Sequence, residues 1–123
     1  LLACGDTESP LRALIWLACV QAADGSLPQN SSVSGRPFWK AIQLDEVAMP
    51  ILLAWRLWQA DGLRQFDPWP LVSRAARYLI LHGPVTSQDR WEENSGYSPS
   101  TLAAIIAAIA CAAEFSRARN HLV

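Results

Sequence analysis

The sequence is poor in charge. Only 17% of its 123 residues are Asp, Glu, Lys or Arg, and the formal net charge is −1 at pH 7. No basic face for nucleic acid or an anionic membrane surface follows from that balance. Histidine is scarce as well, with His82 and His121 alone, and the three cysteines Cys4, Cys19 and Cys111 form no C-x-x-C pair. Zinc sites want closely spaced ligand pairs, so no metal or other cofactor is expected. An odd cysteine count argues against a disulfide framework and leans towards a reducing, cytoplasmic compartment. Cys19 and Cys111 lie in apolar runs and read as buried free thiols. Leu1–Ser9 lacks the positive flank and apolar stretch of a signal peptide. The longest uninterrupted apolar run, Leu102–Ala113, is shorter than a bilayer requires, so no membrane contact is expected. Alternating strand patterns are missing throughout.

What remains is an apolar, helix-forming chain: 51% of its residues are hydrophobic, a composition that excludes a disordered tail and supports one packed domain. Punctuation divides it. Ser9-Pro10, Asp67-Pro68 and Ser98-Pro99 each pair a capping side chain with a proline whose fixed φ suits the first helical turn. Gly25, Gly62 and Gly83 follow helix-like segments and read as left-handed stops. Four helices are predicted, over Pro10–Ala23, Asp45–Ala60, Pro68–His82 and Pro99–Arg117, with Pro50 kinking the second or marking its start. Leu11, Leu14, Ile15 and Ala18 set one apolar face, and Leu71, Ala75 and Leu79 another. Trp16, Trp55 and Trp58 read as core fillers. The turn at Gly62–Phe66 is short; the links at Gly25–Leu44 and Gly83–Tyr97 are long. Antiparallel neighbours would bring both long links to one end of the array, where the second and fourth helices begin. Long ordered loops on a rigid scaffold are where function concentrates.

Both links carry tryptophan beside carboxylates and amides. Sugars present apolar C–H faces and dense hydroxyls, so their sites want aromatic platforms beside hydrogen-bonding side chains. Glycosidic cleavage adds carboxyl groups, one of them a proton donor. Trp39-x-x-x-Gln43-Leu44-Asp45-Glu46 and Arg90-Trp91-Glu92-Glu93, followed by Gly96-Tyr97-Ser98-Pro99, resemble the glucoamylase and glucodextranase family, glycoside hydrolase family 15, in its bacterial form. Asp24-Gly25-Ser26, Pro28-Gln29-Asn30 and Trp69-Pro70-Leu71 extend the likeness over about Leu11 to Ala113.

The resemblance implies an all-α fold of antiparallel helical hairpins, part of an (α/α)6 toroid of which this chain supplies about four of twelve helices. The second and fourth helices would be inner, the first and third outer. The implied activity is inverting hydrolysis of α-1,4- or α-1,6-glucosidic bonds, releasing glucose from non-reducing ends of oligo- or polysaccharides. It makes Glu92 the general acid, with Glu93, Trp91, Trp39, Gln43 and Asp45 against the sugar. A general acid must hold its proton near working pH; burial beside Trp91 and the charge of Glu93 would raise the Glu92 pKa, and Arg90 would lower it.

Taken singly, the same residues have plain readings. Glu92-Glu93 fits a solvated acidic pair, Asp45 a helix cap, and Arg36 and Lys40 surface charges. Gln21-x-x-Asp24-Gly25 also suggests a terpenoid-cyclase type toroid, but the aromatic residue and Asp-rich motif expected of that type are missing. No segment matches the family's general base or its early arginine-aspartate motif. Inversion needs two carboxyl groups roughly 6.5–9.5 Å apart, so the chain alone is expected to be inactive. A non-catalytic sugar-binding or helix-docking remnant is the alternative, and uncovered inner faces such as Leu102–Ala113 should drive self-association.

Overall fold

The computed structural model describes residues 1–39, 41–88 and 95–120. A 3-10 turn at Leu2–Cys4 precedes four α-helices: α1 (Glu8–Val20), α2 (Leu44–Gln59), α3 (Trp69–His82) and α4 (Pro99–Asn120). No strand occurs among the described residues, where pairing is limited to isolated bridges at Ser31–Pro37 and Thr86–Gly96.

α2 is the central element. Val47, Ala48, Ile51, Ala54 and Leu57 recur at helical spacing and are all fully buried. Burying each Ile or Leu contributes about 1.5–3 kcal/mol. α4 contributes Ala104, Ile105, Ala108, Ala112 and Phe115 to the same core, and Phe115 packs on Trp55 and Trp58 of α2. α3 adds Leu71, Val72, Ala75 and Leu79, and α1 adds only Leu11 and Leu14. Pro50 lies inside α2, which continues through it.

The helix directions follow from contacts at the two ends. Trp58, late in α2, stacks on Phe115, late in α4, at 5.0 Å between ring centroids. Arg119 at the end of α4 donates to Asp67 Oδ1 at 2.8 Å, just before α3 begins. α2 and α4 therefore run in the same direction, α3 runs against both, and the starts of α2 and α4 share one end.

α4 embeds the run Leu102–Ala113 in a longer helix than the run itself, and by length and composition Pro99–Arg119 reaches what a bilayer crossing needs. Its apolar residues lie all round it: one side is buried against α2, while Ile106 on another is 68% exposed. A helix apolar on every side belongs between layers of a larger array.

Several local expectations are corrected. α1 starts at Glu8 and is capped from Asp6, whose Oδ1 accepts from Ser9 N at 3.0 Å, rather than by Ser9. It stops at Val20, where Gln21 turns extended and sends its side chain to α3. After α2 the left-handed residue is Asp61 (φ 52), not Gly62, and Gly83 ends α3 in an extended conformation. Cys19 is exposed, because α1 buries only its Leu11–Leu14 face; Cys111 is half-buried. Trp16 and Trp58 are about two-fifths exposed, since nothing described here covers their outer sides.

Candidate active site

The long link between α1 and α2 climbs α3 to reach the shared end. At its root, Gln21 Nε2 donates to Leu71 O at 3.1 Å and to Gly25 O at 3.2 Å. Gly25, at φ +99, passes so close to α3 that a Cβ there would lie 2.1 Å from Arg74 O. Only glycine tolerates both the conformation and the contact. The Gln21-x-x-Asp24-Gly25 pattern is thus a clasp between link and helix. Asp24 Oδ1 accepts from Ser26 N and Ser26 Oγ at 2.9 and 2.7 Å. These bonds, from the Ser26 amide first, hold its carboxyl below the ordinary range, and the charge of His82 helps.

Further along, Ser32 N donates to Arg36 O and Gly35 N to Ser32 O, each at 2.8 Å, closing a tight turn. Phe38 N then reaches back to Asn30 O at 3.2 Å. That small closed loop presents Phe38 and, beside it, a half-exposed Trp39. Gln43 occupies the N-cap position of α2 in an extended conformation and Asp45 its first turn; both are buried. A carboxylate there faces the positive end of the helix dipole.

The second link returns to the same place. Ser87 Oγ donates to Ile42 O at 2.8 Å, and Leu44 N donates to Thr86 Oγ1 at 3.5 Å. Thr86 and Gly96 exchange backbone bonds of 3.1 and 3.0 Å, so residues 87–95 form a loop closed at its base. Trp91, Glu92 and Glu93 belong to that loop by sequence and lie outside the described residues, as does Lys40. Of the sequence-derived site, Trp39, Gln43 and Asp45 are therefore described and stand at or just before the start of α2.

A cleft of about 450 Å³ opens at this end, lined by Ile42, Leu44, Tyr78, His82, Val85 and Ser87 among others. Tyr78 and His82 stack at 4.1 Å. Burial raises the Tyr78 phenol above its ordinary value, with the nearby Asp24 charge adding to it. Sequence reasoning overlooked Thr86 and Ser87, whose partners Leu44 and Ile42 are distant in the chain; only their place in a long polar link hinted at a role. It also overlooked Thr101, fully buried near the start of α4, whose hydroxyl meets no partner among the described residues. Among the described residues no group of three metal-ligating side chains assembles.

Comparison with known proteins agrees with the motifs. Residues 21–121 match the model of glycosyl hydrolases family 15. A glucoamylase of Clostridium sp. (strain G0005) is 47% identical over 113 residues, which cover 91% of this chain and 15% of that enzyme. An uncharacterised glycosyl hydrolase of Methanocaldococcus jannaschii is 33% identical over 123 residues, 94% of this chain and 20% of its own length. Among solved structures, a bacterial glucoamylase complexed with acarbose superimposes with a TM-score of 0.77 at 44% identity, over 88% of this chain and 15% of that one. The chain thus spans a fifth or less of the length of these relatives. With its four helices forming part of an (α/α)6 toroid, this chain belongs to glycosyl hydrolases family 15.

Proposed function

We propose that the chain supplies the proton-donating part of a glucoamylase-type active site, hydrolysing α-1,4- or α-1,6-glucosidic bonds from non-reducing ends with inversion. Glu92 protonates the departing glycosidic oxygen as the C1–O bond breaks. Water adds to C1 from the opposite face, its proton passing to a second carboxylate that this chain does not supply. Trp39 and Trp91 offer apolar faces to the sugar, Gln43 and Asp45 hydrogen-bond its hydroxyls, and Glu93 orients substrate or acid. A general acid of this kind contributes about 10²–10⁴-fold in rate.

The observation that carries this reading is the Ser87–Ile42 hydrogen bond of 2.8 Å, because it joins the link containing Glu92 to the one containing Trp39. The Clostridium relative is a glucoamylase, and the solved bacterial glucoamylase is complexed with acarbose, which supports an α-glucose oligosaccharide as the ligand. The test is to exchange the corresponding segment of the Clostridium glucoamylase for this chain and follow the anomer of glucose released from maltooligosaccharides. Release of β-glucose is expected; release of α-glucose overturns the inverting mechanism.

A second reading, self-association, is favoured by the groove between α3 and α4. It has a volume of about 370 Å³ and is lined by Trp69, Ala76, Ile80, Leu81 and Ile109 among others. Ile80 and Leu81 are each 65% exposed. Contiguous apolar surface of this kind favours association. Sedimentation of the chain should then give a mass that rises with concentration, and a stable dilute monomer contradicts it.

A further inference from the structure

The start of α2 is unusual in how its first amide is satisfied. Gln43 sits at the N-cap position, yet its side chain makes no capping bond. The opening amides of a helix have no partners within it and take them from caps or water. Leu44 N instead points at the hydroxyl of Thr86, a residue far along the chain, at 3.5 Å. Thr86 is fully buried. Its hydroxyl proton goes to Gln88 O, inside the second loop, and its backbone holds Gly96 from both sides. Gly96 itself adopts φ +129, a conformation that side-chain-bearing residues rarely take. The Thr86 hydroxyl thus joins the amide end of α2 to the first residues of the loop, while the residue's backbone pairs with Gly96 at the loop's base. Ser87, its exposed neighbour, adds a second tie to Ile42.

From this geometry we infer that Thr86 is a positioning residue for the reaction: it fixes the loop containing Glu92 in register with Gln43 and Asp45 at the start of α2. The inference rests on the reading of Glu92 as general acid. Thr86 does not touch sugar; it acts through the loop it anchors. Displacing a catalytic group by about 1 Å costs on the order of 10²-fold in rate, so a hydroxyl in this place has leverage on turnover.

Thr86→Val keeps the shape and removes the hydroxyl; Thr86→Ser keeps the hydroxyl. In hydrogen exchange on the chain itself, Thr86→Val should lower protection at Leu44 roughly tenfold or more while Ala54 and Ala108 in the core keep theirs. Carried in the Clostridium glucoamylase frame and acting on maltooligosaccharides, Thr86→Val should lower kcat by roughly 10- to 100-fold with little change in KM. Thr86→Ser should recover most of both. Should Thr86→Val fail to fold, Ser87→Ala, on the exposed tie, must show the same changes in weaker form. Unchanged protection at Leu44, or lost protection with kcat intact, overturns the inference. If Glu92→Gln retains full activity, it is the acid assignment that fails instead.

Discussion

Trp58 and Phe115 stack with ring planes 28° apart and centroids 5.0 Å apart, and Trp55 meets both rings edge-on. This aromatic cluster joins the far ends of α2 and α4 and so leaves their starts, with the two long links, together at the opposite end. Phe115→Ala removes the buried member, which is 6% exposed. Truncation of a buried Phe costs about 3–5 kcal/mol. Urea denaturation should register a loss in that range, whereas Ile106→Ser, on the open side of α4, should stay within about 0.5 kcal/mol of the parent.

Gly25 offers a sharper test of the clasp between the first link and α3. An added methyl would meet the backbone carbonyl of Arg74, which no side-chain rotation relieves. Gly25→Ala is expected to cost more than about 2 kcal/mol, through both the positive φ and the clash. A variant as stable as the parent in thermal unfolding would show that the link can leave α3 freely.

The acid limb of stability should carry the mark of Asp24. Its folded pKa lies below its ordinary value of 3.8, chiefly because of the Ser26 amide and hydroxyl. A depressed carboxyl stabilises the fold fully above the unfolded pKa, and that contribution is lost as pH falls through the folded pKa. Ser26→Ala keeps the amide bond and removes the hydroxyl. NMR titration should show the Asp24 carboxyl moving part of the way up towards 3.8, with a smaller fall in stability upon acidification. No movement would assign the shift to the amide alone.

Thiol chemistry reads the corrected cysteine environments. Cys4 and Cys19 are exposed, whereas burial, helped by Glu114, raises the Cys111 thiol. The thiolate is the reactive form. Ellman's reagent at neutral pH should label Cys4 and Cys19 first and Cys111 several-fold more slowly; equal rates at Cys19 and Cys111 would contradict the packing of α1.

Much of this architecture is legible without coordinates because its signals are local. Asp67 caps α3 through Trp69 N at 3.0 Å, and Pro99 opens α4 where the Ser-Pro step predicts. The periods of Leu71, Ala75 and Leu79 give the buried face of α3 directly. What the sequence hides is tertiary. α1 ends early because Gln21 finds a carbonyl on α3, and Gly25 is required by a backbone it meets only after folding. Thr86 is invisible as an anchor because Leu44 becomes its partner only once α2 and α3 are side by side. The exposure of Trp16, Trp58 and Cys19 depends on what packs outside them, which periodicity does not report. The site divides in the same way: Gln43 and Asp45 stand buried at the start of α2 and Trp39 half-exposed before it, while the role of Glu92 rests on its motif.

The role of Glu92 is tested most directly by the leaving group. Carried in the Clostridium glucoamylase frame, Glu92→Gln should lower hydrolysis of maltose by about 10²–10⁴-fold. Hydrolysis of α-glucosyl fluoride, whose fluoride departs without needing a full proton, should fall far less. Equal losses on both substrates, or full activity on maltose, would contradict a proton-donating Glu92.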